Sequence, residues 1–261
     1  MEAPYVSHAE GGIRVSDVSK TFGGANGVRA LDKVTFDVKR GELVALLGPS
    51  GCGKSTLLRI IAGLVSSDPG GTIEVLARKQ TKPSNEVGVV FQTHNLLPWL
   101  TVEANIRLGA EVQKLDAAEI RKRVDAVLPV LRLDAFRKSY PHELSGGMQQ
   151  RAALGQALIL RPQVLLLDEP FGALDALTRD QLNVELLRIC QEIEKTVILV
   201  THSIVEAVFL GDRVLVMSDR PGRILKDVQI DLPRPREPRI TKGLPQFGKY
   251  IQYLGQLMGV D

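Results

Sequence analysis

Gly48-Pro-Ser-Gly-Cys-Gly-Lys-Ser55, with Thr56 following, has the residue types and spacing to hold a phosphate chain. The glycines let the backbone wrap closely, so that successive N–H groups can point at phosphate oxygens. The start of a helix just beyond would add partial positive charge. Lys54 is expected to reach the β- and γ-phosphates, and the Ser55 hydroxyl to coordinate Mg²⁺. Gly48, Pro49, Ser50, Gly51, Cys52, Gly53, Lys54, Ser55 and Thr56 are thus candidate nucleotide contacts. A second segment, Val164-Leu-Leu-Leu-Asp-Glu-Pro170, reads as a buried strand that delivers two carboxylates at its C-terminal end. Ligands of parallel sheets bind outside such strand ends. Asp168 is expected to hold Mg²⁺ through its water shell, and Glu169 to polarise an attacking water as general base. An acidic pair after a strand is often only a surface turn; the phosphate loop elsewhere in the chain gives this one its weight.

The elements that must position these groups can be read from periodicity. Val34–Val38 alternates apolar and polar residues, as a half-buried strand does, and Leu43–Leu47 is continuously apolar, as in a strand covered on both faces. Leu57, Leu58, Ile60, Ile61 and Leu64 then recur at helical spacing. Thr72–Val75 and Val87–Phe91 are further strand candidates. Ile120, Val124, Val127, Leu128 and Leu131 form one helical stripe, and Ser145 is suited to cap a helix running through Leu158. Strands return at Val164–Leu167, Val197–Val200 and Val214–Met217, with a helix bearing Leu182, Leu186, Ile189 and Ile193 between the first two. Alternating strands and helices predict an α/β fold with a mainly parallel sheet. Its organisation is expected to be a phosphate-binding core over 13–92 and 161–225, which the resemblance below makes an ATP-binding core, a helical subdomain inserted over 93–160, and a Pro/Arg-rich extension over 226–261.

Charge and cysteine content narrow the possibilities. Thirty-three basic against 30 acidic residues give a net charge of +3, too mild a balance to point to nucleic acid as a partner. The two cysteines, Cys52 and Cys190, offer neither a disulfide framework nor metal-ligand spacing and suit a reducing compartment. Met1–Gly12 lacks the pattern of a secretory signal. No apolar run reaches the roughly 18 residues a membrane span needs, so membrane segments, if the protein serves a membrane, are expected in another chain.

Phosphate loops serve many activities, so the fold alone does not give the function. Leu144-Ser-Gly-Gly-Met-Gln-Gln-Arg151 resembles the ABC signature motif and precedes the Asp168–Glu169 strand, as in that family. The chain from about Ile13 to Leu225 therefore resembles an ABC transporter ATPase, with the P-loop NTPase fold: a RecA-like core, an antiparallel β part and an inserted helical subdomain. The resemblance implies further roles. Phe22 would stack on adenine, and Gln92 would sense Mg²⁺ and the attacking water. Asp175, in Ala173-Leu-Asp175, would communicate across a dimer, and His202 would be the switch histidine near the γ-phosphate. Ser145, Gly146 and Gly147 open a helix and can bind a γ-phosphate, but one molecule cannot easily close them onto its own phosphate loop. In the family two subunits dock head-to-tail around ATP and Mg²⁺, so a second copy, or a similar ATPase, is implied. Met148 departs from the glutamine common at that point, without changing the helix-opening chemistry.

Leu96-Leu-Pro-Trp-Leu-Thr-Val102, the methionine-bearing signature and Ser218-Asp-Arg-Pro-Gly-Arg-Ile224 resemble the nitrate, sulfonate and taurine importer subgroup. That implies permease subunits, an indirect role for a solute-binding protein, and a peripheral position on the cytoplasmic face of the cell membrane. The competing readings are a lipid, metal or exporter ATPase, or a soluble ABC ATPase of DNA repair or translation. Trp99 is expected either to help line a socket for a permease helix or to pack in the core. The basic tail, with Arg234, Arg236, Arg239, Lys242 and Lys249, is expected to be a solvated extension, the alternative being contact with anionic lipid or a regulatory partner, with a short helix near Tyr250–Met258. Cys52, beside Lys54 and a helix start, is expected to be a partly exposed, reactive thiol.

Overall fold

Three strands that are buried throughout form the centre of the larger sheet: β3 (Leu43–Leu47), β7 (Val164–Asp168) and β8 (Thr196–Thr201). Their side chains divide strictly between two cores. Leu43, Ala45 and Leu47 of β3 enter one core, and Val44 and Leu46 enter the other. Both faces are covered, so no position on these strands is left for a solvated side chain. The structure is a computed structural model; it describes residues 12–23, 27–93, 95–171, 176–192 and 195–260.

Around that centre stand β6 (Val87–Val90), β9 (Arg213–Met217) and β10 (Ile224–Gln229), in the order β10-β9-β3-β8-β7-β6. All neighbours are parallel except β10, which runs antiparallel to β9. A second, antiparallel sheet has the order β2-β1-β4-β5, from β1 (Ile13–Phe22), β2 (Val28–Val38), β4 (Thr72–Val75) and β5 (Arg78–Lys79). It packs with α1 (Lys54–Ile61) on one face of the parallel sheet. Gly63 then turns the chain in the left-handed region, so Leu64 lies beyond the helix and is 48% exposed rather than part of its apolar stripe.

Between β6 and β7 the chain is helical: α2 (Val102–Val112), α3 (Ala117–Val130) and α4 (Gly146–Leu158). Asn105 is buried and holds the turn before α2, accepting from Leu97 N at 2.8 Å and donating to the carbonyls of Leu97, Leu100 and Thr101. That turn displays Trp99, which is 69% exposed, so the expectation of core packing for Trp99 is set aside. The helices α5 (Ala176–Glu192) and α6 (Ile204–Leu210) cover the core that holds Leu43, Ala45 and Leu47.

The tail departs from its expected form. Strand β10 crosses the boundary placed at 225/226, because its backbone completes the sheet edge beside β9. The chain beyond is no solvated extension. Ile230, Leu232, Phe247 and Leu254 are buried in the main core, and α8 (Pro245–Met258) lies on α6 and β9. Between them, α7 (Pro238–Thr241) is a single turn. Arg236, 3% exposed, donates to the carbonyls of Gly211 at 2.7 Å and Phe209 at 3.1 Å, where α6 ends. Arg234 pairs with Asp212, and Lys242 with Asp180 of α5. A basic composition suggests solvation because it does not reveal that helix-end carbonyls and carboxylates stand opposite.

Candidate functional site

The chain leaves β3 through Gly48 and enters α1 at Lys54. Gly53 caps that helix at φ 111°, a left-handed conformation, and a Cβ there would stand 2.8 Å from the Ala30 carbonyl oxygen. Only glycine meets both conditions. The helix has no side-chain cap, which leaves its first N–H groups to a ligand. Lys54 is buried; its Nζ donates to the carbonyls of Gly48 and Pro49 at 2.7 and 2.8 Å. Cys52 Sγ lies 3.9 Å from the same ammonium. Cys52 is nonetheless only 1% exposed, and burial raises its pKa against the lowering effect of Lys54. The expected exposed, activated thiol is therefore corrected: desolvation outweighs the nearby charge.

The Ser55 hydroxyl donates to Asp168 Oδ1 at 2.8 Å. Burial raises the Asp168 pKa, with the Ser55 hydrogen bond opposing it. Two adjacent oxygen donors, one of them a carboxylate, fit a hard divalent cation that keeps waters and phosphate oxygens as its remaining ligands. Glu169 follows with φ 46°, a strained backbone for a non-glycine residue. Its Oε2 accepts from Gln92 Nε2 at 3.4 Å and lies 3.1 Å from His202 Nδ1. One carboxylate oxygen is thus held between an amide and an imidazole.

Phe22, 46% exposed, is no core residue; with Val28 and Ala30 it gives the apolar lining of a cleft of about 520 Å³. The polar lining comes from Ser50, Gly51, Gly53, Lys54, Ser55 and Thr56, together with Gln92 and Glu169. Apolar side chains and a backbone cradle in one cleft suit the two parts of a nucleotide. Ser145, Gly146 and Gly147 do not line it; they form the start of α4, where the Ser145 hydroxyl accepts from Met148 N at 3.4 Å. Asp175 lies outside the described residues.

Two neighbours of the site were not singled out as functional from the sequence. Arg220 lines the cleft and donates to the Gly51 carbonyl. Glu206 is buried on α6 and accepts from the Thr201 hydroxyl, next to His202; burial raises its pKa. The signal for Arg220 lay in the Ser218–Ile224 segment; Glu206 had none beyond its place one turn after His202.

Fold and cleft together define a phosphate-loop ATPase. Comparison with known proteins narrows the class. The ABC transporter family model matches residues 31–172. The aliphatic sulfonates import ATP-binding protein SsuB of Bacillus cereus is 48% identical over 225 residues, covering 86% of this chain and 88% of that protein. The taurine import ATP-binding protein TauB of Roseobacter denitrificans is 43% identical over 242 residues, covering 91% and 90%. A solved ATP-binding cassette dimer in a post-hydrolysis state, bound to ADP and Pi, superposes with a TM-score of 0.73 at 33% identity, covering 84% of this chain and 98% of that one. The chain belongs to the ABC transporter family, as one of its ATP-binding, ATP-hydrolysing subunits. Among the described residues no helix is long and apolar enough to cross a membrane.

Proposed function

We propose that this ATPase works as a head-to-tail dimer on the cytoplasmic face of the membrane, and powers import of a small sulfonate-class anion through a separate permease. The observation that carries the catalytic part is the Glu169 carboxylate, held between Gln92 and His202 beside the Ser55–Asp168 pair. Phe22 stacks on the adenine, and the 48–56 cradle with Lys54 binds the phosphates. Ser55, Asp168 and Gln92 would hold Mg²⁺, which would supply positive charge against the phosphates. Glu169 takes the proton of the attacking water, while Gln92 and His202 fix its orientation. The second copy supplies Ser145, Gly146 and Gly147 at the γ-phosphate, and Asp175 carries the signal between copies. That Ser145–Gly147 lie outside their own chain's cleft supports this division. The likeness to sulfonate and taurine import subunits supports the cargo class and a solute-binding protein upstream. The displayed Trp99 turn and segment 93–160 are the permease-facing part.

Glu169→Gln keeps the shape and removes the proton acceptor, which typically slows turnover about 10²–10⁴-fold. ATP affinity should be retained and the ATP-bound dimer should accumulate, as read by size-exclusion chromatography with light scattering. Adding Ser145→Arg, which crowds the start of α4, should abolish that dimer. An ATP-dependent dimer unchanged in the double variant would refute the sandwich.

A further inference from the structure

The loop between β9 and β10 clips the phosphate cradle to β2. Gly222 N donates to Ala30 O at 2.9 Å, and Asp32 N donates to Gly222 O at 3.0 Å. Arg223 pairs with the Asp32 carboxylate. Gly222 approaches the cradle so closely that a Cβ would stand 2.3 Å from the Cys52 carbonyl oxygen. Arg220 projects from this clip: its Nη2 and Nε donate to Gly51 O at 2.9 and 3.2 Å.

Two features leave Arg220 available to a ligand. A guanidinium has five N–H donors, and one neutral carbonyl occupies two of them. Among the described residues no carboxylate pairs with Arg220, whereas its neighbour Arg223 is ion-paired. The cleft's charge balance points the same way. Lys54 and Arg220 are the cations among the described residues lining the cleft, and Lys54 shares its surroundings with the carboxylates of Asp168 and Glu169. Arg59 of α1 also acts on Asp168 but does not line the cleft, so Lys54 is the other cation among the described lining residues that a polyphosphate could meet.

We propose that Arg220 is a nucleotide-binding residue that contributes a second cation to the polyphosphate end of the cleft, using the donors not taken by Gly51. This rests on the nucleotide site proposed above. The Gly51 bond pre-orients the guanidinium, so little side-chain freedom is lost when phosphate arrives. Arg220 is exposed, which places its effect near the low end for charged hydrogen bonds, about tenfold in affinity.

The test is calorimetric titration of adenosine, ADP and ATP into the full chain at low and high salt. The variants are Arg220→Ala, Arg220→Lys and Lys54→Ala, each checked for folding by thermal melting. Arg220→Ala should weaken ADP and ATP about tenfold, leave adenosine unchanged and flatten the salt dependence of ATP affinity. Arg220→Lys, which keeps the charge, should restore most of the loss and serves if the alanine variant folds poorly. Unaltered ADP and ATP affinity in Arg220→Ala would overturn the proposal. So would a loss that extends equally to adenosine, or one with an unchanged salt slope, since Arg220 would then only buttress Gly51. If Lys54→Ala also left ATP binding intact, the nucleotide-site reading itself would fail; if it weakened binding while Arg220→Ala did not, only the Arg220 assignment would.

Discussion

Replacing Arg236 by methionine weighs a buried charge against the bonds it makes. The guanidinium donates to Gly211 O at 2.7 Å and Phe209 O at 3.1 Å; a third contact, to Val208 O, is long at 3.4 Å. Hydrogen bonds from a charged group contribute about 1.5–3 kcal/mol each, so the two good ones give about 3–6 kcal/mol. Against them stands desolvation. Burial, with Arg234 nearby, pulls the Arg236 pKa down to about 10. At about 1.4 kcal/mol per pKa unit, that fall costs about 3–4 kcal/mol. Asp212, the nearest compensating carboxylate, is already engaged by Arg234. Methionine keeps much of the aliphatic stem and removes both terms, but leaves the carbonyls at the end of α6 without their donor. The bonds should win, and Arg236→Met should destabilise the fold by about 2 kcal/mol. The assay is urea unfolding followed by circular dichroism, with m unchanged. Nucleotide affinity should stay within about twofold, because Arg236 lies outside the cleft. A neutral or stabilising result would refute the reasoning: it would mean that desolvation cancels the bonds and that apolar contacts alone dock the tail, as happens for some buried charges.

Brief alkylation near neutral pH should leave both cysteines largely unmodified, with or without nucleotide. Burial raises the Cys52 pKa and pushes that of Cys190 up to about 12; rapid labelling of Cys52 that Mg-ATP blocks, read by mass spectrometry, would contradict this. Gly222→Ala should destabilise the protein by about 2–4 kcal/mol, because the added Cβ meets a backbone oxygen that cannot turn aside. Gly248→Ala, where a Cβ meets nothing within 4 Å, should instead stabilise α8 by about 0.5–1 kcal/mol in the same thermal or urea assay.

What the sequence made legible follows burial. The runs Leu43–Leu47, Val164–Leu167 and Val197–Val200 are apolar at every position because two cores cover them, and they were readable as strands. β1 escaped notice because its alternation breaks: register shifts fall between Val15 and Val18, and Asp17 takes φ 52°. β10 is an edge strand with only Val228 buried, so it carries almost no apolar signal. α2 did carry one, in Thr101 as cap and Val102, Ile106 and Ala110 at four-residue spacing, but Asn105 and Gly109 diluted it. The phosphate cradle was legible residue by residue, because its chemistry depends on local backbone. The placement of Arg220, the burial of Cys52 and the docking of Arg236 were not. Each depends on what stands opposite in space.

The order of the sheet explains why those spatial relations hold. Along the chain the site residues come as Ser55, Gln92, Glu169, His202 and Arg220. In the sheet, β9, β3, β8, β7 and β6 are consecutive neighbours, and each delivers one group from its C-terminal end. Arg220 follows β9, the cradle follows β3, His202 follows β8, Glu169 ends β7 and Gln92 follows β6. Glu169 therefore stands between the strands that carry His202 and Gln92, which is why its one carboxylate oxygen meets both. Arg220 stands on the other side of the cradle, and among the described residues no carboxylate pairs with it. Ser55 reaches Asp168 across β8 because it sits on α1, which packs over that part of the sheet. Adjacent strands in register lie about 4.8 Å apart, so backbone hydrogen bonds fix the spacing of the points from which these segments leave the sheet. Ser145 has no such tie: it starts a helix of the inserted subdomain, outside the sheet that fixes the other residues. The groups that follow these strand ends can thus be preset within one chain, whereas the γ-phosphate contact proposed for Ser145 would be set by how two chains dock.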